Sequence, residues 1–195
     1  MYVTSSQDSE RPLMLEKVLE DIPGGGTVEK DDFKVSTSVM KEGAVLGKDS
    51  NGIYHPVKTA ELHAEAAVDA VAYQVKKNHE FKVGDFFMDA GKTSKAYAIT
   101  AINTAEADYD TITVGTTLGK VLPAGTVMVQ AAAQATSLAG GSYKYSPEGI
   151  ALNSVDLTLA NQGCGILVRG TVIQSLLPYP VDSSIKALLP LIRFV

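Results

Sequence analysis

The sequence predicts a mainly β protein: small β-barrel or β-sandwich modules with a short N-terminal helical arm. Three observations carry this. From position 33 onward, short apolar runs recur at roughly 8–12-residue spacing, parted by glycine, proline, asparagine and aspartate, which is the texture of strands and turns. No strand–helix–strand alternation appears, so a nucleotide-binding α/β domain is disfavoured. The one clear helix-like stripe lies before Pro23, where Leu13, Met14, Leu15, Val18, Leu19 and Ile22 fall on one face of a short helix.

The elements follow in order. Pro23 and the triplet Gly24, Gly25 and Gly26 stop the arm and form a hinge. Residues 33–39 carry valine, serine and threonine in near alternation, and 43–48 (G-A-V-L-G-K) read as another short strand. Asp49-Ser50-Asn51-Gly52 is a tight turn, because Asn-Gly supplies the positive φ angles that hairpin turns require. The partner strand returns over 53–57, with Pro56 near an edge. The alanine-rich stretch 61–72 favours a helical turn or short helix, which leads into a strand where Val71, Tyr73 and Val75 alternate. A strand then ends at Gly84-Asp85, another starts at Phe86, and the chain turns at Ala90-Gly91. Further strands are expected over 96–102, 111–114 and 127–131, then over 142–145, 149–152, 155–159, 165–168 and 171–176. The chain thus divides into an acidic arm with a short helix and hinge (1–32), a β-rich module (33–120) and a second β module (121–195). The last two either stand side by side or interleave as one body.

At 195 residues the chain buries about 70% of the surface its unfolded form exposes, so it needs neither disulfides nor metal to fold. No apolar run approaches the ~18–20 residues of a membrane span. The first nine residues are polar and lack a hydrophobic signal core, so no secretion signal is expected. A net charge of −5 argues against general nucleic-acid binding, whose affinity comes from neutralising phosphates. All of that excess lies in residues 1–32, which hold eight acids against three bases; the rest of the chain is balanced. Such a segment is either a solvated tail or an arm that docks on a neutral or basic partner. Leu13, Leu15, Val18, Leu19 and Ile22 are its candidate contacts with such a partner or with another subunit. The apolar runs Leu176-Leu177-Pro178 and 188–192 are too hydrophobic to hang free. They either complete the core or pack between subunits.

No catalytic, cofactor-binding or metal-ligating set is found. The single cysteine, Cys164, excludes an internal disulfide and reads as a small buried residue. His55, His63 and His79 are scattered, without metal-ligand spacing. Gly91-Lys92-Thr93 looks like the end of a phosphate loop, but the first glycine of that motif falls on Phe86. Gly163, Gly165 and Gly170 miss the dinucleotide fingerprint. Asp108 with Asp110, and Asp85 with Asp89, read as turn-forming acids unless burial shifts them. G-A-V-L-G-K (43–48) echoes G-T-T-L-G-K (115–120), either as a weak repeat of one β unit or as common strand-entry wording.

K-E-G-A-V-L-G-K-D-S-N-G-I-Y-H-P (41–56) resembles the opening hairpin of head-decoration proteins of tailed double-stranded-DNA phages. E-G-I-A-L-N-S-V-D-L-T (148–158) and C-G-I-L-V-R-G-T-V (164–172) resemble the closing strands of that lambda-type β domain. The middle, from H-E-F-K-V-G-D-F-F (79–87) through Y-D-T-I-T-V-G-T-T-L-G (109–119), looks like β modules of other phage head and fibre proteins. The resemblance touches about half of the chain. This sequence departs from a minimal decoration protein by its greater length, which leaves room for a head-fibre base or auxiliary capsid protein. The resemblance implies a virion structural protein on the capsid surface, made in the host cytoplasm and not an enzyme. Its implied partners are the major capsid protein and its own copies in a homotrimer, with a fibre protein or host surface as further candidates. The alternative is a fibre- or adhesin-like module that binds a host-surface glycan or protein.

Overall fold

The computed structural model describes residues 14–33 and 39–195. In chain order the strands are β1 (Leu15–Asp21), β2 (Gly26–Val28), β3 (Val39–Met40), β4 (Val45–Lys48), β5 (Tyr54–Pro56), β6 (Thr59–Glu61) and β7 (Ala72–Lys76). They continue as β8 (Phe86–Asp89), β9 (Tyr97–Asn103), β10 (Tyr109–Val114), β11 (Val127–Ala131) and β12 (Pro147–Ala151). The chain closes with β13 (Val155–Asp156), β14 (Gln162–Cys164), β15 (Ile166–Val172), the short helix α1 (Ser183–Ala187) and β16 (Ile192–Phe194). The protein is mainly β, with its sheets curled into a half-barrel and only a few helical turns.

Two sheets account for most of the strands. The larger has eight, ordered β1-β15-β12-β4-β5-β2-β14, with β16 also beside β15. The smaller has six, ordered β6-β11-β8-β9-β10-β7, and is made entirely from residues 59–131. It sits in the chain between β5 and β12, which are strands of the larger sheet. Position 120 lies in the loop between β10 and β11, within the smaller sheet. The end strands of the six-stranded sheet meet at one antiparallel bridge, Leu62 to Val75, where the His63 N–H donates to the Gln74 carbonyl at 2.9 Å.

Period-two alternation explains how the larger sheet is buried on both faces. Val45, Ile150 and Leu167 enter one core, shared with Met88, Val129 and Ala131 of the smaller sheet. Their neighbours Leu46, Ala151 and Ile166 enter a second core with Val28, Met40 and Tyr54. A third core fills the six-stranded sheet, where Tyr73, Phe81, Phe87, Ile99 and Ile112 pack together. Phe81 and Phe87 meet edge-to-face at 5.2 Å, a favourable aromatic geometry.

The structure corrects several expectations. The apolar stripe is not helical where it is described: residues 15–21 form the strand β1, antiparallel to β15. A stripe this short cannot sustain a helix alone in water, and the free edge of β15 offers its backbone partners instead. Gly170 is the residue that admits it, because a side chain there would strike the Lys17 carbonyl. The predicted strands 165–168 and 171–176 join into one strand, β15, which ends at Val172, and residues 174–176 form a helical turn. No helix forms over 61–72 either. Ala66 bridges to Leu122, and its main-chain groups exchange two hydrogen bonds with it, which pins this loop across the sheet end. The predicted strand 33–39 falls mostly on residues 34–38, outside the described residues. The hairpin over 43–57 forms as expected, with Gly52 at φ +84° in its turn.

The turn after β8 shows what became of the phosphate-loop look-alike. Asp89 accepts hydrogen bonds from the Thr93 N–H (2.9 Å), the Thr93 hydroxyl (2.7 Å) and the Ser94 N–H (2.6 Å). Burial pushes this carboxyl up, but the bonds from Thr93 and Ser94 outweigh it and hold it below the usual carboxylate range. Its folded pKa therefore lies below the unfolded value of about 3.9. The stability it contributes is present above that unfolded value and is lost as pH falls toward the folded one. Urea titrations from pH 7 to pH 2 are expected to show Asp89→Asn less stable at neutral pH and less sensitive to acid than the parent.

Candidate functional site

A cleft of about 970 Å³ opens where the six-stranded sheet fails to close. Past the Leu62–Val75 bridge, β6 and β7 part. Thr59 to Glu61 then form one bank, and Lys76 to His79 the other. The far wall is a strap over residues 174–182, which returns from the larger sheet and carries Pro178, Tyr179 and Pro180. Two bonds tie the strap to the smaller sheet. The Thr59 hydroxyl donates to the Pro180 carbonyl at 2.8 Å, and the Tyr179 hydroxyl donates to Glu80 Oε1 at 3.3 Å. Burial, and then the Glu80 carboxylate, push the Tyr179 phenol well above its ordinary range, so it stays protonated.

The cations around the cleft are held in place. Lys76 pairs with Glu61 at 2.6 Å, and Lys77 pairs with Asp110 at 2.6 Å and donates to the Thr104 carbonyl at 3.1 Å. Across the cleft, Lys186 donates to Gln174 Oε1 at 2.6 Å. The Gln174 amide donates in turn to the Val181 carbonyl at 3.1 Å. Asp182 caps α1 by accepting from the Ile185 N–H at 2.9 Å. His79 Nε2 lies 3.1 Å from Asp110 Oδ2, beneath the Lys77 pair. The result is a fixed surface of mixed, paired charges.

A second polar cluster ties the two sheets together. His55 contacts Asp32 through Nδ1, stacks on Tyr145 at 3.9 Å and has Asp49 3.7 Å from its Nε2. Burial, followed by the carboxylates of Asp32 and Asp49, pushes the Tyr145 phenol up to about 12. On the smaller sheet, the buried Lys58 ammonium pairs with Asp85 at 2.9 Å. Asp85 also accepts from the Gln130 amide (2.6 Å) and the Lys82 N–H (2.9 Å). The Lys82 ammonium reaches back to the Asp31 carbonyl at 2.6 Å. Nothing in the sequence marks Lys58 or Asp85 for this role. The run V-K-T-A gives no sign that its lysine is buried.

The predicted contact residues do not share a face. Leu15 is buried in the core between the sheets, while Val18 and Leu19 are exposed on the outer strand β1. Ile22 packs at the margin of the second core, and Leu13 lies outside the described residues. Cys164 is buried, and burial pushes its thiol up, with hydrogen bonds around Asn153 only partly opposing. The native protein is expected to resist a thiol-reactive disulfide reagent and to react fully once unfolded, as read by absorbance. Among the described residues, no three His, Cys, Asp or Glu side chains group as metal ligands, and no helix is long and apolar enough to cross a membrane. No protein-family model, curated protein or solved structure matches the chain.

Proposed function

We propose that the protein is a phage virion structural protein that binds the capsid exterior as a head-decoration or head-fibre protein, with the major capsid protein as its partner. One observation carries this reading. The segments that resemble the decoration domain, 41–56 and 148–172, are far apart in sequence but supply adjacent strands of one sheet, in the order β15-β12-β4-β5. Ile150 of β12 sits between Val45 of β4 and Leu167 of β15, so the opening hairpin and closing strands form one unit. The 59–131 sheet is then an elaboration on that unit, in keeping with a larger auxiliary protein or fibre base.

The contact surface proposed is the outer strand β1, where Val18 and Leu19 stand in solvent. Leu176, Leu188 and Leu191 are also exposed, and they suit contacts between the subunits of a homotrimer. Sedimentation with heads built from the accompanying major capsid protein tests the proposal. Saturable pelleting is expected, weakened by Val18→Asp with Leu19→Asp. Protein that stays wholly in the supernatant would contradict it. The cleft favours a second reading, a fibre- or adhesin-like module for a host-surface glycan or protein. Binding to host cells without binding to heads would support that reading instead.

A further inference from the structure

Three loops meet at one end of the six-stranded sheet: 62–71 leading into β7, 90–96 between β8 and β9, and 115–126 between β10 and β11. In the sheet order β10 and β11 flank the β8–β9 pair, and β6 and β7 lie beyond them, so loop 115–126 crosses between the other two. Towards 62–71, the Thr117 hydroxyl donates to the Val68 carbonyl, and Ala66 and Leu122 exchange main-chain bonds at 2.8 and 2.9 Å. Towards 90–96, the Lys95 N–H donates to the Leu118 carbonyl at 3.0 Å, and the Lys120 ammonium donates to the Thr93 hydroxyl at 2.5 Å. The charges divide along the same line. Loop 62–71 holds Glu65 and Asp69 with no lysine or arginine, whereas loop 90–96 holds Lys92 and Lys95 with no acid. Lys120, on the middle loop, reaches to the lysine side.

None of these five charges forms an ion pair among the described residues. Lys92 lies over the Tyr143 ring, and Asp89, in the same turn, is buried and spends its oxygens on Thr93 and Ser94. Val68 and Val71 on the acid-bearing loop, and Val121 on the middle loop, are exposed. Exposed apolar side chains with acids to one side and bases to the other form a surface complementary to itself. A half-turn about an axis through the middle loop sets Glu65 and Asp69 of one copy against Lys92, Lys95 and Lys120 of a second, and symmetry repeats the match. We infer that this end of the protein is a two-fold contact between copies of the chain. The segregation of charge selects that occupant, because a partner of one sign would match one side and repel the other. The contact is separate from β1 and from Leu176, Leu188 and Leu191. It therefore joins units to one another whether each unit is one chain or a trimer, and it does not rest on the capsid reading.

Sedimentation equilibrium of the full chain tests this. The mass of the unaltered protein is expected to rise with concentration and to fall back as salt rises. Lys92→Glu with Lys120→Glu turns the basic side largely acidic, and Glu65→Lys with Asp69→Lys turns the acidic side basic. All four positions are exposed. Each variant alone should associate at least about tenfold more weakly, because like charges then face each other. Mixed in equal amounts, the two should associate again, which no general loss of folding can produce. A trimer formed elsewhere survives in both variants, so the contact is read as the gain in mass that they lose. Carbodiimide coupling of unlabelled with isotope-labelled protein gives a readout that needs no substitution. Lys92 and Lys120 should couple to Glu65 and Asp69 across copies. Unaltered protein that gains no mass, variants that associate as it does, or a mixture that stays apart would each overturn the proposal. So would coupling confined to single chains.

Discussion

Leu15→Ala is expected to destabilise the protein by about 2–5 kcal/mol, the usual range for emptying a buried leucine site. Leu19→Ala, four residues away on the same strand, should change stability by no more than about 0.5 kcal/mol. The contrast follows from burial: Leu15 is 6% exposed and Leu19 is 54% exposed. Leu15 lies against β15 opposite Val172, within the core that joins the two sheets. For a chain of this size each kcal/mol lowers Tm by about 2–4 °C, so calorimetry separates the two variants readily. Truncation to begin at Ile22 should be harsher. It removes β1 altogether and exposes the edge of β15, and is expected to give aggregation rather than a soluble, folded body. Equal melting of the two leucine variants would mean that β1 is not docked as described.

The buried ion pair gives the second large effect. Asp85→Ala leaves the Lys58 ammonium, 2% exposed, without its counter-charge, and also strips the Gln130 amide and the Lys82 N–H of their acceptor. Breaking a buried pair from one side costs about 3–5 kcal/mol. Lys58→Met should cost less, because the carboxylate it leaves behind keeps two donors. Adding Lys58→Met to Asp85→Ala should recover part of the loss, since the stranded cation is removed. Urea denaturation of the four proteins forms a double-mutant cycle. Simple additivity of the two losses would show that the charges do not depend on each other.

These two predictions mark where the sequence was legible and where it was not. The hairpin over 43–57 could be read because its turn is Asn51-Gly52, a local signal needing no distant partner. Five strands of the six-stranded sheet could be read, with Tyr73 and Val75, and Ile112 and Val114, at every second position of their runs; β6 was not read as a strand. The arm could not. Its stripe is compatible with a helix or an edge strand, and the choice belongs to β15, at the other end of the chain, and to the space left at Gly170. Alanine in 61–72 favours a helix only weakly, and the Ala66–Leu122 bridge overrides it. The cleft was hidden for a different reason. Its walls come from five separate stretches, and no motif spans them.

Electron microscopy of heads, with and without the added protein, tests the capsid-binding account most directly. The account predicts regular extra density on the outer surface, repeating with the shell lattice and grouped in threes. Heads that look identical in both samples, at protein concentrations far above the number of shell sites, would contradict it.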